Sequence, residues 1–228
     1  MESIILRGWR LAWMESSWPL SLQKNRMRQT GLLFIISIAF ISCHSFVKET
    51  LQHREEYKSE FLTDERSPLR QEDLPYLDFY SPNKKAVVKA RFILTPESEN
   101  FELPTYSGMT RTYRKWGEAY FKWEQDSARL SVYENMKLAG NPEYKDYLFL
   151  PFTDETNDET TYGGGRYLDL SKQDTEDGMI TIDFNRCYNP WCAYSDGYNC
   201  PIPPAENFLP FKVEAGERKF KGPHKTGH

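Results

Sequence analysis

Between Arg54 and Pro223 the chain contains no histidine; the four it has are His44, His53, His224 and His228. A Ser-His-Asp or Cys-His hydrolase built within that span is excluded unless His53 reaches in, and histidine-bearing zinc sites lose their ligands for the same reason. No Gly-Lys-Ser or Gly-Lys-Thr follows Gly163-Gly164-Gly165, so these glycines are not a nucleotide P-loop. No repeat of fixed period is visible, and basic excess is missing as well. Residues 1 to 42 carry five basic and two acidic side chains, leaving 24 basic against 31 acidic. That balance argues against a nucleic-acid partner. With 228 residues, 39% hydrophobic and 15% aromatic, the chain has the material for one main domain with a sizeable core.

What is present at the amino end points to export. Arg26 and Arg28 precede an apolar or small run from Gly31 to Ser42, about 18 Å long as a helix against a hydrocarbon core of about 30 Å. Too short to span, it has the parts of a secretory signal: basic flank, apolar run, and a small residue before the junction. The ending Phe40-Ile41-Ser42-Cys43 resembles a bacterial lipoprotein signal peptide, departing from it at Phe40, where Leu is commoner. The resemblance implies cleavage before Cys43 and acylation there. Several acyl chains would hold the mature protein to a membrane of the bacterial envelope, on the periplasmic or the surface side. The alternative is a buried apolar helix with a core cysteine. On the export reading, residues 27 to 42 are the signal, Met27 is the start, and residues 1 to 26, with Trp9, Trp13 and Trp18, are a misassigned extension.

Residues 43 to 62 are expected as a lipidated terminus followed by a helix. Val47 to Leu62 is charged and helix-prone, with an imperfect apolar stripe of Val47, Leu51, Tyr57, Phe61 and Leu62. Only His44, Ser45 and Phe46 separate it from Cys43, so the domain is expected to sit close to its membrane. A single β-rich domain over residues 63 to 220 should follow. Ala86, Val88, Ala90, Phe92 and Leu94 alternate with Lys85, Lys89 and Arg91, the pattern of a half-buried strand. Strand-like runs recur at Phe101 to Tyr106, Thr110 to Lys115, Ala119 to Glu124, Arg129 to Tyr133, Tyr147 to Phe152, Arg166 to Leu170 and Met179 to Asn185, with turn signals between them. The expected fold is mainly β, an antiparallel sandwich or open barrel with an N-terminal helix. Cys200-Pro201-Ile202-Pro203-Pro204 cannot continue a ladder and should wrap the sheet as an extended strap, with Asn207 capping the turn after it. Residues 221 to 228 are expected to be disordered.

Between residues 152 and 218 several motifs occur in order: Thr161-Tyr162-Gly163-Gly164-Gly165-Arg166-Tyr167-Leu168-Asp169, Ile182-Asp183-Phe184-Asn185, Asn189-Pro190-Trp191-Cys192-Ala193-Tyr194, Cys200-Pro201, and Ala215-Gly216-Glu217. This resembles the domain-of-unknown-function family 1684 (DUF1684), with coverage from about Glu49 to Glu217. The resemblance implies no settled activity. Cys187 stands where the pattern leads one to expect a small residue.

The candidate ligand-binding residues are Tyr162, Arg166, Tyr167, Asp169, Asp183, Asn185, Asn189 and Tyr194. Tyr167 and Asp169 share one strand face, Asp183 and Asn185 another, and the four would converge if those two strands pair. The glycines before Arg166 could present N–H groups to an anion, but a bulge with local packing of Tyr162 and Arg166 is the favoured reading. Carboxylates among Asp154, Asp169 and Asp183 would suit glycoside hydrolysis, although acids in strands and turns more often cap or pair with arginine. Cys192 and Cys200 are expected to form a disulfide, the alternatives being structural thiols or a reactive Cys192, with Cys187 left over and buried. Trp116, Trp123, Trp191 and the tyrosines either line a carbohydrate or lipid groove or fill the core, the commoner use. No cofactor or metal is expected. The reading is an envelope lipoprotein that binds an unknown ligand or envelope protein; its rival is a hydrolase using Asp169 with Asp183, or Cys192.

Overall fold

The computed structural model describes residues 45–175 and 177–226. The proposed extension, the signal segment and Cys43 lie outside the described residues. No helix among the described residues is long and apolar enough to cross a membrane.

A helix, α1, covers residues 45–63. Its buried stripe is Thr50, Arg54 and Phe61, with Tyr57 half-buried between them, a spacing that stays on one helix face. Two residues of the expected apolar stripe fall elsewhere: Leu51 is 47% exposed and Leu62 46%. Polar side chains took inner positions, although Arg54 Nε and Nη2 are buried there with no hydrogen-bond partner among the described residues. The Arg54 guanidinium stacks 4.9 Å over the Phe79 ring, and Thr50 returns its hydroxyl to the Phe46 carbonyl.

Eight strands follow in an antiparallel sheet curled into a half-barrel: β1 (Val87–Leu94), β2 (Asn100–Pro104), β3 (Thr110–Trp123), β4 (Asp126–Asn135), β5 (Tyr147–Asp154), β6 (Arg166–Ser171), β7 (Met179–Asp183) and β8 (Phe208–Leu209). Between β4 and β5 lies one short helical turn, α2 (Met136–Ala139). The order is β6-β5-β4-β3-β1-β7, with β2 added to β3 and the short β8 running parallel to β5. This is the mainly β, open-barrel class expected from the alternation. Two expected strands merged, since Thr110 to Lys115 and Ala119 to Glu124 belong to one strand that bulges between Lys115 and Gly117. Gly117 is required there: a Cβ would stand 2.4 Å from the Phe92 ring and 2.6 Å from the Ile93 carbonyl.

Along β1 the alternation holds through Val88, Ala90 and Phe92, then fails at Leu94, which is 52% exposed. The main core lies on one face of the sheet and includes Phe92, Leu130, Leu150, Leu168, Ile182 and Phe184. A smaller aromatic cluster lies on the other face, made of Leu103, Tyr113, Tyr133, Phe149 and Tyr167. Strand parity produces the split: Leu148 and Leu150 enter the main core while Phe149 between them enters the aromatic cluster.

The C-terminal segment ties these parts together. β4 and β5 pair directly only at Tyr133 and Phe149. Nearby Asn207 inserts its amide, accepting from Ser131 N at 2.8 Å and donating to the Ser131 and Pro151 carbonyls at 2.8 and 2.7 Å. It bridges two strands rather than capping a turn. The proline strap does run along the sheet, with Tyr106 N donating to the Cys200 carbonyl and Ile202 N to that of Pro104. Part of the tail expected to be disordered is held: Lys225 N bonds the Tyr194 carbonyl and the Lys225 ammonium pairs with Asp73.

Candidate functional site

The aromatic face of the half-barrel and one side of α1 flank an open cavity of about 590 Å3. β3 contributes Tyr113, β5 Tyr147 and Phe149, and β6 Tyr167 and Asp169, because alternate residues of each strand point the same way. Tyr188 arrives from beyond β7: its backbone exchanges hydrogen bonds of 2.9 and 3.0 Å with Tyr167, so the chain leaving one end of the sheet closes onto the strand at the other. From α1 come His53, Tyr57 and Glu60, spaced to share one helix face.

At the centre is Asp169. Tyr147 and Tyr188 each donate a hydroxyl to its Oδ1 at 2.8 Å. The surrounding protein raises its carboxyl above the ordinary range by withholding water, and the two phenols oppose that rise. The side chain nevertheless remains exposed to the cavity, so the desolvation is partial. Glu60 is raised too, first by burial and then by the charge of Asp169. His53 is lowered, by burial and by the Arg186 guanidinium, which favours the neutral imidazole. Tyr147, Tyr167 and Tyr188 are pushed well up, chiefly by burial, and stay protonated donors.

The arginines of the cavity wall are differently placed. Arg66 pairs with Asp64 at 2.8 Å, and Arg186 with Glu49 at 2.9 Å and Asp183 at 3.5 Å. Arg111 donates through Nε to the Asn199 carbonyl at 3.2 Å.

Of the candidates named from sequence, the structure brings Tyr167 and Asp169 together in this cavity. Asp183 and Asn185 do not join them, because β6 pairs with β5 and β7 with β1, at opposite ends of the sheet. Asp183 accepts from Asn185, and buried Asn185 ties the turn before β1 through Asn83 N at 2.7 Å and the Asn83 carbonyl at 2.9 Å. Arg166 is wholly enclosed and spent on structure, donating to Asp154 Oδ2 at 2.7 Å and to the Val213 carbonyl at 2.9 Å. Asn189 and Tyr194 are buried around Glu217, which accepts from Asn189 N at 2.8 Å and from the Tyr194 hydroxyl at 2.6 Å.

Tyr162 lines a separate hollow of about 480 Å3 with Tyr106 and Asp158. The glycines after it are packed, since a Cβ on Gly163 would meet Asp158 at 2.0 Å and one on Gly165, at φ +87°, would meet the Phe152 carbonyl at 2.6 Å. Cys192 and Cys200 form a disulfide, with Cα atoms 6.2 Å apart, and Cys187 is free and buried, its thiol pushed up to about 11 by burial. Trp191 lines the cavity, whereas Trp116 and Trp123 pack against the main core.

Sequence reasoning missed Tyr113, Tyr147, Tyr188 and Glu60, and named His53 only as the histidine that could reach in, which it does. A signal existed for Glu60: His53, Tyr57 and Glu60 stand four and three apart on a helix already recognised. Tyr147 and Tyr188 gave none, since their meeting on one carboxylate oxygen depends on sheet order. Among the described residues no group of three His, Cys, Asp or Glu side chains could hold a metal.

The arrangement defines a class: a half-barrel β domain with one aromatic-walled cavity whose polar centre is a carboxylate. Residues 72–218 match the family described as "Protein of unknown function (DUF1684)", and the chain belongs to that family. The match starts after α1 rather than near Glu49. A similar solved structure is the solution NMR structure of an uncharacterised protein of Haloarcula marismortui, 32% identical, covering 75% of this chain and 93% of its own, with a TM-score of 0.58. No curated protein matches the chain.

Proposed function

We propose that this is a lipid-anchored protein of the bacterial envelope whose half-barrel binds a small ligand over Asp169. The observation that carries the binding reading is the cavity itself: about 590 Å3, lined with aromatic rings and centred on one carboxylate oriented by two phenols. Sites for small molecules have this size and this mixture of apolar wall and few fixed polar groups. The anchor rests on the segment ending at Cys43, and the Cys192–Cys200 disulfide is consistent with an oxidising compartment.

A hydrolase is less well supported. Cys192 is committed to the disulfide, and Asp183 does not line the cavity that holds Asp169. The acids that do share it are Asp169 and Glu60.

A thermal-shift screen of metabolites spanning cations, anions and neutral compounds tests the binding reading. At least one should raise the Tm of the wild type and leave Asp169→Asn unmoved; a folded wild type that no compound stabilises would overturn it. For the anchor, radiolabelled palmitate should enter the wild type and not Cys43→Ala, and equal labelling refutes it.

A further inference from the structure

We propose that the ligand is a small organic cation, its ammonium or guanidinium group seated against Asp169 Oδ2 among the tyrosine rings. This rests on the cavity being a binding site. Both phenol donors land on Oδ1, and among the described residues no hydrogen bond or ion pair reaches Oδ2. A carboxyl so placed is already oriented, with the accepting capacity of Oδ2 unused by the protein.

No protein cation pairs with it, although Arg111 stands in the same cavity wall without an ion-pair partner among the described residues. Asp169 takes part in none of the ion pairs among the described residues, and burial and the two phenols lead the influences on its carboxyl. Arg66 and Arg186 have acidic partners of their own. Glu60 adds a second negative charge to the same cavity, near enough for Asp169 to raise its carboxyl. An arriving cation relieves that repulsion, whereas an anion at Arg111 would add to it.

The walls suit the same ligand. Phe149 stands edge-on to Tyr167 with ring centroids 4.8 Å apart, Tyr167 to Tyr188 at 5.9 Å, and Tyr113 stacks on Phe149 at 5.6 Å. Aromatic faces attract desolvated cations, so the rings complement the carboxylate and do not merely exclude water.

Isothermal titration of the full chain in mild detergent tests this, with agmatine and choline as cations, propionate as anion and butanol as the uncharged control. At least one cation should bind, and Asp169→Asn should weaken it by about tenfold or more, as expected for losing a hydrogen bond to a charged group. Exposed Glu60 offers a variant that does not disturb packing, and Glu60→Gln should weaken the cations while leaving butanol unchanged. The cation assignment is overturned if neither cation binds, if propionate or butanol binds as tightly as the cations, or if both variants bind cations like the wild type. Should propionate or butanol bind where cations do not, the cavity remains a binding site and only the ligand class falls. Should the metabolite screen also show no stabilisation, both fall.

Discussion

Tyr57 on α1 donates a hydrogen bond to Glu217 Oε2 at 3.0 Å, across 160 residues of sequence, and Tyr194 donates to the other oxygen at 2.6 Å. This buried carboxyl docks the helix, and with it one wall of the cavity, onto the C-terminal segment. It carries no ion-pair partner among the described residues, and burial pushes it up to about 7 against the bonds from Asn189, Tyr194 and Tyr57.

Stability should therefore depend on pH through Glu217. Its folded pKa exceeds the ordinary 4.5, so the folded state binds the proton more tightly than the unfolded chain. The contribution is complete below about 4.5 and lost as pH rises through about 7, amounting to roughly 3 kcal/mol at most. Urea midpoints at pH 5 and pH 8 should differ more for the wild type than for Glu217→Gln. Parallel profiles for the two would contradict this assignment.

Removing half of the Arg166–Asp154 pair should be severe. Both side chains are wholly buried, and the guanidinium also holds the Val213 carbonyl and stacks 5.3 Å over Phe152. Arg166→Met leaves Asp154 as an unpaired buried charge, at a cost of about 3–5 kcal/mol. Adding Asp154→Asn should recover part of that loss, so the double variant is less than additive in equilibrium unfolding.

Asn207→Ala should loosen the β4–β5 seam. Three buried backbone groups lose their partner at once, the N–H and carbonyl of Ser131 and the carbonyl of Pro151. A cost of about 2–4 kcal/mol follows from leaving such groups unsatisfied. Hydrogen exchange at the Ser131 amide should speed up more than exchange at amides of β1, and equal acceleration throughout would point to global destabilisation alone.

Replacing both Cys192 and Cys200 by serine should lower stability by about 2.6 kcal/mol, the loop-closure value for a loop of nine residues, with a separation of eight. Trp191, Tyr198, Asn199 and Pro201 around that loop line the cavity. Ligand affinity should fall with it, as titration before and after reduction by dithiothreitol would measure. Unchanged affinity would show the wall to be held without the disulfide.

Much of this protein is written locally. Residue alternation marks strands because side chains on a pleated chain point to opposite faces whatever strand lies beside them, so Val88, Ala90 and Phe92 declare an inner face before any partner is known. Family membership and the helix near residue 50 are legible in the same way. The cavity is not, because β7 pairs with β1 and the chain beyond it reaches β6, and those meetings depend on the free energy of the whole sheet. Tyr147 and Tyr188 converge on Asp169 only once that order exists, and Arg166, conspicuous beside three glycines, is drawn inside by an aspartate twelve residues earlier. From sequence alone came the class of fold and two of the cavity residues, Tyr167 and Asp169. Tertiary structure decided which polar groups are buried partners and which face the cavity, because burial belongs to the packed chain and not to any residue type.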